Sequence, residues 1–303
     1  AEAGEPLAVL IASEYPIYGR FGYGPATRDA RITVDTRRAR MRGERRGSLE
    51  LAAHDAATRD AIRAVFNAAR RQRPGEIRRR DITWDLDTGL VEDAFDGKRW
   101  NGFIVLHRKA SGDVDGYARY TASPGDRIAE SGIEIEDLHA LDADAYADLW
   151  RYLISIDLVA TARAVHRSLS EPLPWLLEDA RAVTFDRLRD VVWVRLFDIP
   201  RALEGRSYER AGSVVLELVD DGPWSRPGRW RLDVSPDGAT CRATDASADL
   251  TFPVAALGAA YLGGTRLRDA TRLTGVDEHR AGALAMADAL LHTIDEPWCS
   301  TPF

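Results

Sequence analysis

The run LAVLIAS at residues 7–13 carries no charged side chain. A continuous apolar segment of this length suits a strand covered on both faces, and such a strand also needs hydrogen-bond partners along its edges. Only six residues stand before it. A buried strand at this place implies neighbours that the sequence before it does not supply.

The 303 residues exceed what a single core usually organises, which predicts two or three domains. An apolar share of 45% with 29% charged residues is ordinary globular composition, so neither disorder nor a fibrous repeat is expected. The formal charge of −7 argues against nucleic acid, whose binding depends on an excess of Lys and Arg, and favours small cationic ligands. The basic clusters RRARMRGERR and RRQRPGEIRRR are read as solvated faces or subunit contacts. Cys241 and Cys299 stand at no zinc-ligand spacing, and the six histidines form no H-x-x-x-H pair, so no metal is expected. The opening AEAGEP lacks the basic start of a signal peptide, and no stretch is long enough to cross a bilayer. These features predict a cytoplasmic protein without membrane partners.

Along the chain, ITVD suits a half-exposed strand, and residues 56–76 place Ala61, Ile62, Val65, Phe66 and Ala69 on one helical face. WNGFIVLHR, SGDVDGYARYTAS and IEIEDLHAL read as three strands, with Gly112-Asp113 as a hairpin turn. The helix DADAYADLWRYLISID follows, with Ala145, Leu149, Tyr152 and Leu153 inward. VVWVRLF is a buried strand that leads into a short helix started by Pro200. The last third runs from strands (SVVLELVDD, GRWRLDVSPDG, ATCRATDASADLTFPV) to Ala-rich helices. The whole reads as α+β.

ASEYPIYGRFGYGPA, residues 12–26, resembles the end of the N-terminal acetyltransferase domain of Eis-like (enhanced intracellular survival) proteins, a multi-domain group of GNAT acetyltransferases. The resemblance continues through RRQRPGE, SEPLPWLLEDARAV, VWVRLFDIPRALEGRSY and EPWCSTPF, in consistent order over the whole chain. It implies a remnant of an N-terminal GNAT domain at 1–40, a second, degenerate GNAT-like domain at 41–205 and a sterol-carrier-protein-like domain at 206–303. It also implies acetyl-CoA as co-substrate, transfer of acetyl to amines of polyamines such as aminoglycosides, and a homo-oligomer, typically a hexamer. Family proteins carry about a hundred residues ahead of this point, on ordinary domain sizes. Those residues hold the loop that takes the CoA pyrophosphate, and no R-x-x-G-x-[GA] run precedes LAVLIAS. The expectation is an N-terminally truncated enzyme, lacking most of its CoA site and inactive by itself.

Acetyl transfer from a thioester to an amine needs a neutral amine, an oxyanion stabiliser and an acid for the departing thiolate. By resemblance Tyr18 is the general acid, and a phenol keeps its proton at neutral pH until a thiolate takes it. Phe303 is the second catalytic candidate, through a terminal carboxylate that accepts the amine's proton by way of water. Its neighbour Pro302 departs from the acidic residue expected there, which puts aminoglycoside affinity and regiochemistry in question. Ser13 matches a contact to the CoA arm, made by its hydroxyl. Asp190 and Asp198 flank VVWVRLF, and the sequence does not choose which of them lines a pocket. The acidic segment WDLDTGLVEDAFDG is read as a polar loop over a core tryptophan rather than a cation site. A rival reading makes the protein a lipid or apolar-ligand binder through its sterol-carrier-like part, with the apolar helices near 255–262 and 281–291 as the feature that permits it.

Overall fold

The computed structural model describes residues 4–126, 130–219, 227–272 and 274–303. Its chain forms two compact units, Ala1–Arg28 with Arg189–Phe303, and Asp29–Leu188. The packing boundaries thus fall at 28/29 and 188/189, whereas the sequence reading divides the chain at 40/41 and 205/206.

The Asp29–Leu188 unit is built on seven strands. In chain order these are β3 (Arg28–Asp35), β4 (Ser48–Ala52), β5 (Phe103–Arg108), β6 (Val114–Ser123), β7 (Gly132–Ala140), β8 (Thr161–Arg167) and β9 (Val183–Asp190), arranged β4-β5-β6-β7-β8-β3-β9. Neighbours run antiparallel from β4 to β7, β7 and β8 are parallel, and β8 and β3 are antiparallel. The helices α2 (Ala56–Ala69) and α4 (Ala143–Ile154) cover opposite faces of the sheet. Alternation decides this: Ile104 and Leu106 join Ile62, Val65 and Phe66 of α2, while Val105 between them joins Leu149, Trp150 and Leu153 of α4. A strand buried on both faces reads as a continuous apolar run, as FIVLH does. Both helices start on an aspartate cap, Asp55 accepting from Thr58 N–H and Asp142 from Ala145 N–H. The expected hairpin is present, with Gly112 at φ +90°. Two short helices complete the unit, α3 (Asp81–Asp87) and α5 (Leu173–Leu176).

In the other unit, β1 (Leu7–Ile11), β2 (Gly24–Pro25) and β10 (Val192–Leu196) form a three-stranded antiparallel sheet in the order β1-β10-β2. LAVLI is the expected strand. Among the described residues it is half-exposed, with Val9 39% accessible, at an edge of that sheet; its partner is VVWVRL, with Leu7 opposite Leu196. All of β10 is buried. The second sheet of the unit contains β11 (Gly212–Val219), β12 (Gly228–Ser235), β13 (Gly238–Ala243), β14 (Leu250–Pro253) and β15 (Asp277–Glu278), ordered β13-β12-β11-β14-β15. Asp220 and Asp221, the end of the expected strand SVVLELVDD, lie outside the described residues. The helices are α1 (Tyr15–Tyr18), α6 (Ile199–Glu204), α7 (Val254–Ala260), α8 (Leu267–Ala270) and α9 (Ala283–Leu291). Helix α7 approaches β2 and β10 so closely that a Cβ at Gly24 would lie 2.0 Å from the Ala255 carbonyl oxygen. The apolar side chains of α7 and α9 are spent on this core: Val254, Leu257, Ala260, Ala283, Ala287 and Leu290 are all buried.

Candidate active site

The segment between β1 and β2 holds the densest aromatic stretch of the sequence. Pro16 starts α1, a 3₁₀ turn follows at Gly19–Phe21, and Gly22 closes it at φ +78°, donating its N–H to the Gly19 carbonyl at 2.9 Å. Glycine is required there for its left-handed backbone and for space, since a Cβ would lie 2.2 Å from Nη1 of Arg195. The turn brings the two expected residues together: Ser13 Oγ lies 3.3 Å from the Tyr18 hydroxyl. Ser13 is exposed and Tyr18 half-buried, so the pair lies at a surface that solvent reaches.

Strand β10 forms the floor under this turn. Trp193 is 2% exposed, and its indole N–H donates to Asp190 Oδ2 at 2.5 Å. That bond fixes the plane on which the turn's aromatics rest. Tyr15 meets the indole edge-on at 4.9 Å between ring centroids, and Tyr18 lies 6.5 Å away. Tyr18 also meets Tyr23 edge-on at 6.4 Å. Burial raises the Tyr23 phenol above its ordinary value, and nearby Arg195 opposes the rise. The sequence placed Asp190 beside the strand without assigning its partner. Trp193 was the missed support, and its position mid-strand in an apolar run was the available signal.

The tail is docked, not frayed. Trp298, Cys299, Ser300 and Thr301 are each 6% exposed or less, after which Pro302 and Phe303 emerge, Phe303 at 52%. Among the described residues Phe303 makes no hydrogen bond, ion pair or ring contact, so no such contact joins it to Tyr18 or Ser13. Cys241 and Cys299 are buried thiols. Among the described residues no group of three or more His, Cys, Asp and Glu is placed to hold a metal ion, and no helix is long and apolar enough to cross a membrane.

The basic clusters turn out to be partly structural. Arg38 pairs with Asp179 at 2.6 Å, and Arg42 donates to the Leu177 carbonyl at 3.0 Å, stapling residues 38–42 to 177–179. Arg79 of the second cluster is 5% exposed, which corrects its reading as a solvated face. Its guanidinium stacks 4.2 Å from the Phe66 ring centroid and 5.1 Å from that of Trp84, and it pairs with Asp137 at 2.5 Å. Asp137 also accepts the Tyr117 hydroxyl at 2.7 Å and lies 3.0 Å from His139 Nε2. Burial pushes the Asp137 carboxyl up, but Arg79 and His139 outweigh it and hold the group well below its usual range. The acidic segment meets arginines in the same way. Asp85 pairs with Arg59, Asp87 with Arg119 and Arg79, and Glu92 with Arg99, above a Trp84 that is 2% exposed.

Residues 75–196 match the Acetyltransferase (GNAT) domain family, and residues 199–300 the Sterol carrier protein domain family. A protein of Streptomyces griseus named as an N-acetyltransferase is 38% identical over the whole chain, which spans 74% of that relative. N-acetyltransferase Eis of Mycobacterium tuberculosis is 36% identical over 96% of the chain and 66% of its own length. Among solved structures, Eis1 from Mycobacterium abscessus superposes on all of the chain and 74% of its own, with a TM-score of 0.84 at 34% identity. Kinship over the full chain, together with its GNAT and sterol-carrier matches, means that the chain belongs to the Eis-like family of GNAT-type N-acetyltransferases, whose GNAT domain implies an acyl-CoA co-substrate and an amine acceptor.

Proposed function

We propose that Tyr18 is the general acid and the Phe303 carboxylate the proton acceptor of an acetyl transfer from acetyl-CoA to amines of small cationic polyamines such as aminoglycosides. The acceptor nitrogen attacks the thioester carbonyl carbon and the C–S bond breaks. The departing thiolate takes the Tyr18 proton, and the proton released by the amine passes through water to Phe303. Ser13 holds the CoA arm through its hydroxyl. The observation that carries this reading is the Ser13–Tyr18 hydroxyl pair at 3.3 Å, resting on an indole whose orientation Asp190 fixes. The burial of residues 298–301 supports the role of Phe303, because a docked tail presents its last residue at a defined place.

The same reading assigns residues 1–40 to the C-terminal part of the N-terminal GNAT domain, 41–205 to a second GNAT-like domain and 206–303 to a sterol-carrier-like domain, in a cytoplasmic homo-hexamer. The apolar-ligand alternative loses its motive, since the helices that suggested it are packed into core. The test, made in the complete protein with its whole acyl-CoA site, is steady-state release of free CoA from acetyl-CoA with neomycin as acceptor. Deletion of Phe303 is expected to lower turnover by about 10²–10⁴-fold, the range of a lost proton-transfer group, without lowering the melting temperature. An unimpaired deletion variant removes Phe303 from the mechanism.

A further inference from the structure

After α9 ends at Leu291, the chain forms neither helix nor strand through Phe303. Such a segment has no hydrogen-bond ladder of its own, and last residues fray unless other contacts tie them down. Here those contacts converge on two places in the same unit.

The first is the turn that follows α7. The Gly263 carbonyl lies 2.9 Å from His292 Nδ1 and accepts the Thr293 backbone N–H at 3.4 Å. A carbonyl only accepts, so Nδ1 of His292 carries the ring proton. Thr293 Oγ1 donates to the Asp295 carbonyl at 2.9 Å, closing a bend at Ile294 and Asp295. The turn has room for these residues only because it carries no side chains. A Cβ at Gly263, where φ is +98°, would lie 2.5 Å from Thr293 Oγ1, and one at Gly264 would lie 2.8 Å from Cδ of Pro297. The proline ring has no flexible end that could swing away from such an atom.

The second is Arg206. Its Nη2 donates at 2.7 Å to the carbonyl of Leu291, one of the last carbonyls of α9, which the helix itself leaves unbonded. The guanidinium lies 4.7 Å from the Tyr208 ring centroid and 5.8 Å from that of Tyr261. Both phenols are tied to α6, Tyr208 donating to the Leu203 carbonyl at 2.6 Å and Tyr261 to that of Ala202 at 2.8 Å. Only Leu262 separates Tyr261 from the glycine turn, so arginine and turn belong to one anchored piece. Beyond it the chain enters the buried run Trp298–Thr301 and emerges at Pro302.

We propose that the Gly263-Gly264 turn, His292 and Arg206 are positioning elements of the acetyl transfer: they fix where the irregular tail runs and so where its last residue stands. The inference rests on the reading of Phe303 as proton acceptor. None of these residues touches a reacting atom. They act through the tail, and a misplacement of about 1 Å is enough to cost about 10²-fold in rate.

The test is steady-state acetyl transfer in the complete protein with its whole acyl-CoA site, with neomycin as acceptor. Gly264 lies outside the left-handed region, so Gly264→Ala adds the conflict with Pro297 without backbone strain. It is expected to lower kcat about 10²-fold, with the KM for acetyl-CoA and the melting temperature unchanged. His292→Ala, at an exposed position that the fold does not depend on, removes the imidazole bond and is expected to lower kcat about fivefold, the scale of one hydrogen bond. Deleting Phe303 as well separates positioning from general damage: in protein without Phe303, neither substitution is expected to cost further turnover. Further losses of the same size there overturn the inference. Full turnover in both Gly264→Ala and His292→Ala, in a protein that Phe303 deletion does impair, overturns the inference alone. Full turnover without Phe303 overturns the proton-acceptor reading, and this inference with it.

Discussion

Tyr117 and Tyr18 carry the same hydroxyl into opposite surroundings. Tyr117 is fully buried on β6 and donates to Asp137, itself paired with Arg79; burial, then the adjacent carboxylate, raises its phenol well above the ordinary value. Tyr18 stands half-buried on a surface turn, with the exposed Ser13 hydroxyl as its hydrogen-bond partner. A proton held between a desolvated ring and an ionised acceptor is structural, because releasing it would place a second negative charge beside Asp137. One that faces only a neighbouring hydroxyl at the surface is available to a substrate. The difference teaches that the availability of a tyrosine for acid chemistry is set by its acceptor and its access to solvent, not by residue type.

The contrast can be broken first at Asp137. Replacement by alanine leaves Arg79 buried without its main counter-charge, and chemical denaturation is expected to report a loss of about 3–5 kcal/mol. A loss below about 1 kcal/mol would show that the network is not the anchor described here. Tyr117→Phe removes one donor from the same carboxylate and is expected to cost about 1.5–3 kcal/mol by the same measurement, the range for hydrogen bonds to charged groups.

Acid sharpens the comparison. The Asp137 carboxyl is depressed in the folded state, so its stabilisation is present above the unfolded value of about 3.9 and is lost as pH falls toward the folded one. Melting temperatures of the parent protein are expected to fall more steeply below about pH 5 than those of Asp137→Asn; parallel curves would remove Asp137 from the acid response. The smallest effect belongs to the ion pair between Asp249 and Arg280 in the other unit, whose arginine side chain is 48% exposed. Surface pairs contribute little, so Arg280→Gln is expected to cost under about 1 kcal/mol in the same denaturation experiment.

Much of this was legible in the residues, for reasons that differ from place to place. Helix α2 and strands β5 to β7 were readable because one or two faces are apolar, and apolar periodicity is what a sequence displays. Strand β9 was not, because TFDRLR is exposed on both faces and its fit depends on Asp186 meeting Arg31 and Thr33 across more than 150 residues. LAVLI was legible as a strand from its continuous apolar run, and its pairing with VVWVRL, about 180 residues away, was not. Within the site, resemblance supplied Ser13 and Tyr18, and the fold joined them. The support from Trp193 and Asp190 was hidden because a tryptophan in an apolar run signals core, and its N–H partner appears only when the strand is placed. The buried Arg79 was hidden for a related reason: an arginine among eleven mostly basic positions looks like surface until Asp137 is found opposite it.

The most direct measurement, made in the complete protein with its whole acyl-CoA site, is steady-state acetyl transfer by the Tyr18→Phe variant beside the parent and Tyr117→Phe, with acetyl-CoA and a polyamine acceptor. The account predicts that Tyr18→Phe lowers kcat by about 10²–10⁴-fold with its melting temperature unchanged, while Tyr117→Phe melts earlier and keeps its kcat when folded. A Tyr18→Phe protein with undiminished kcat would contradict it.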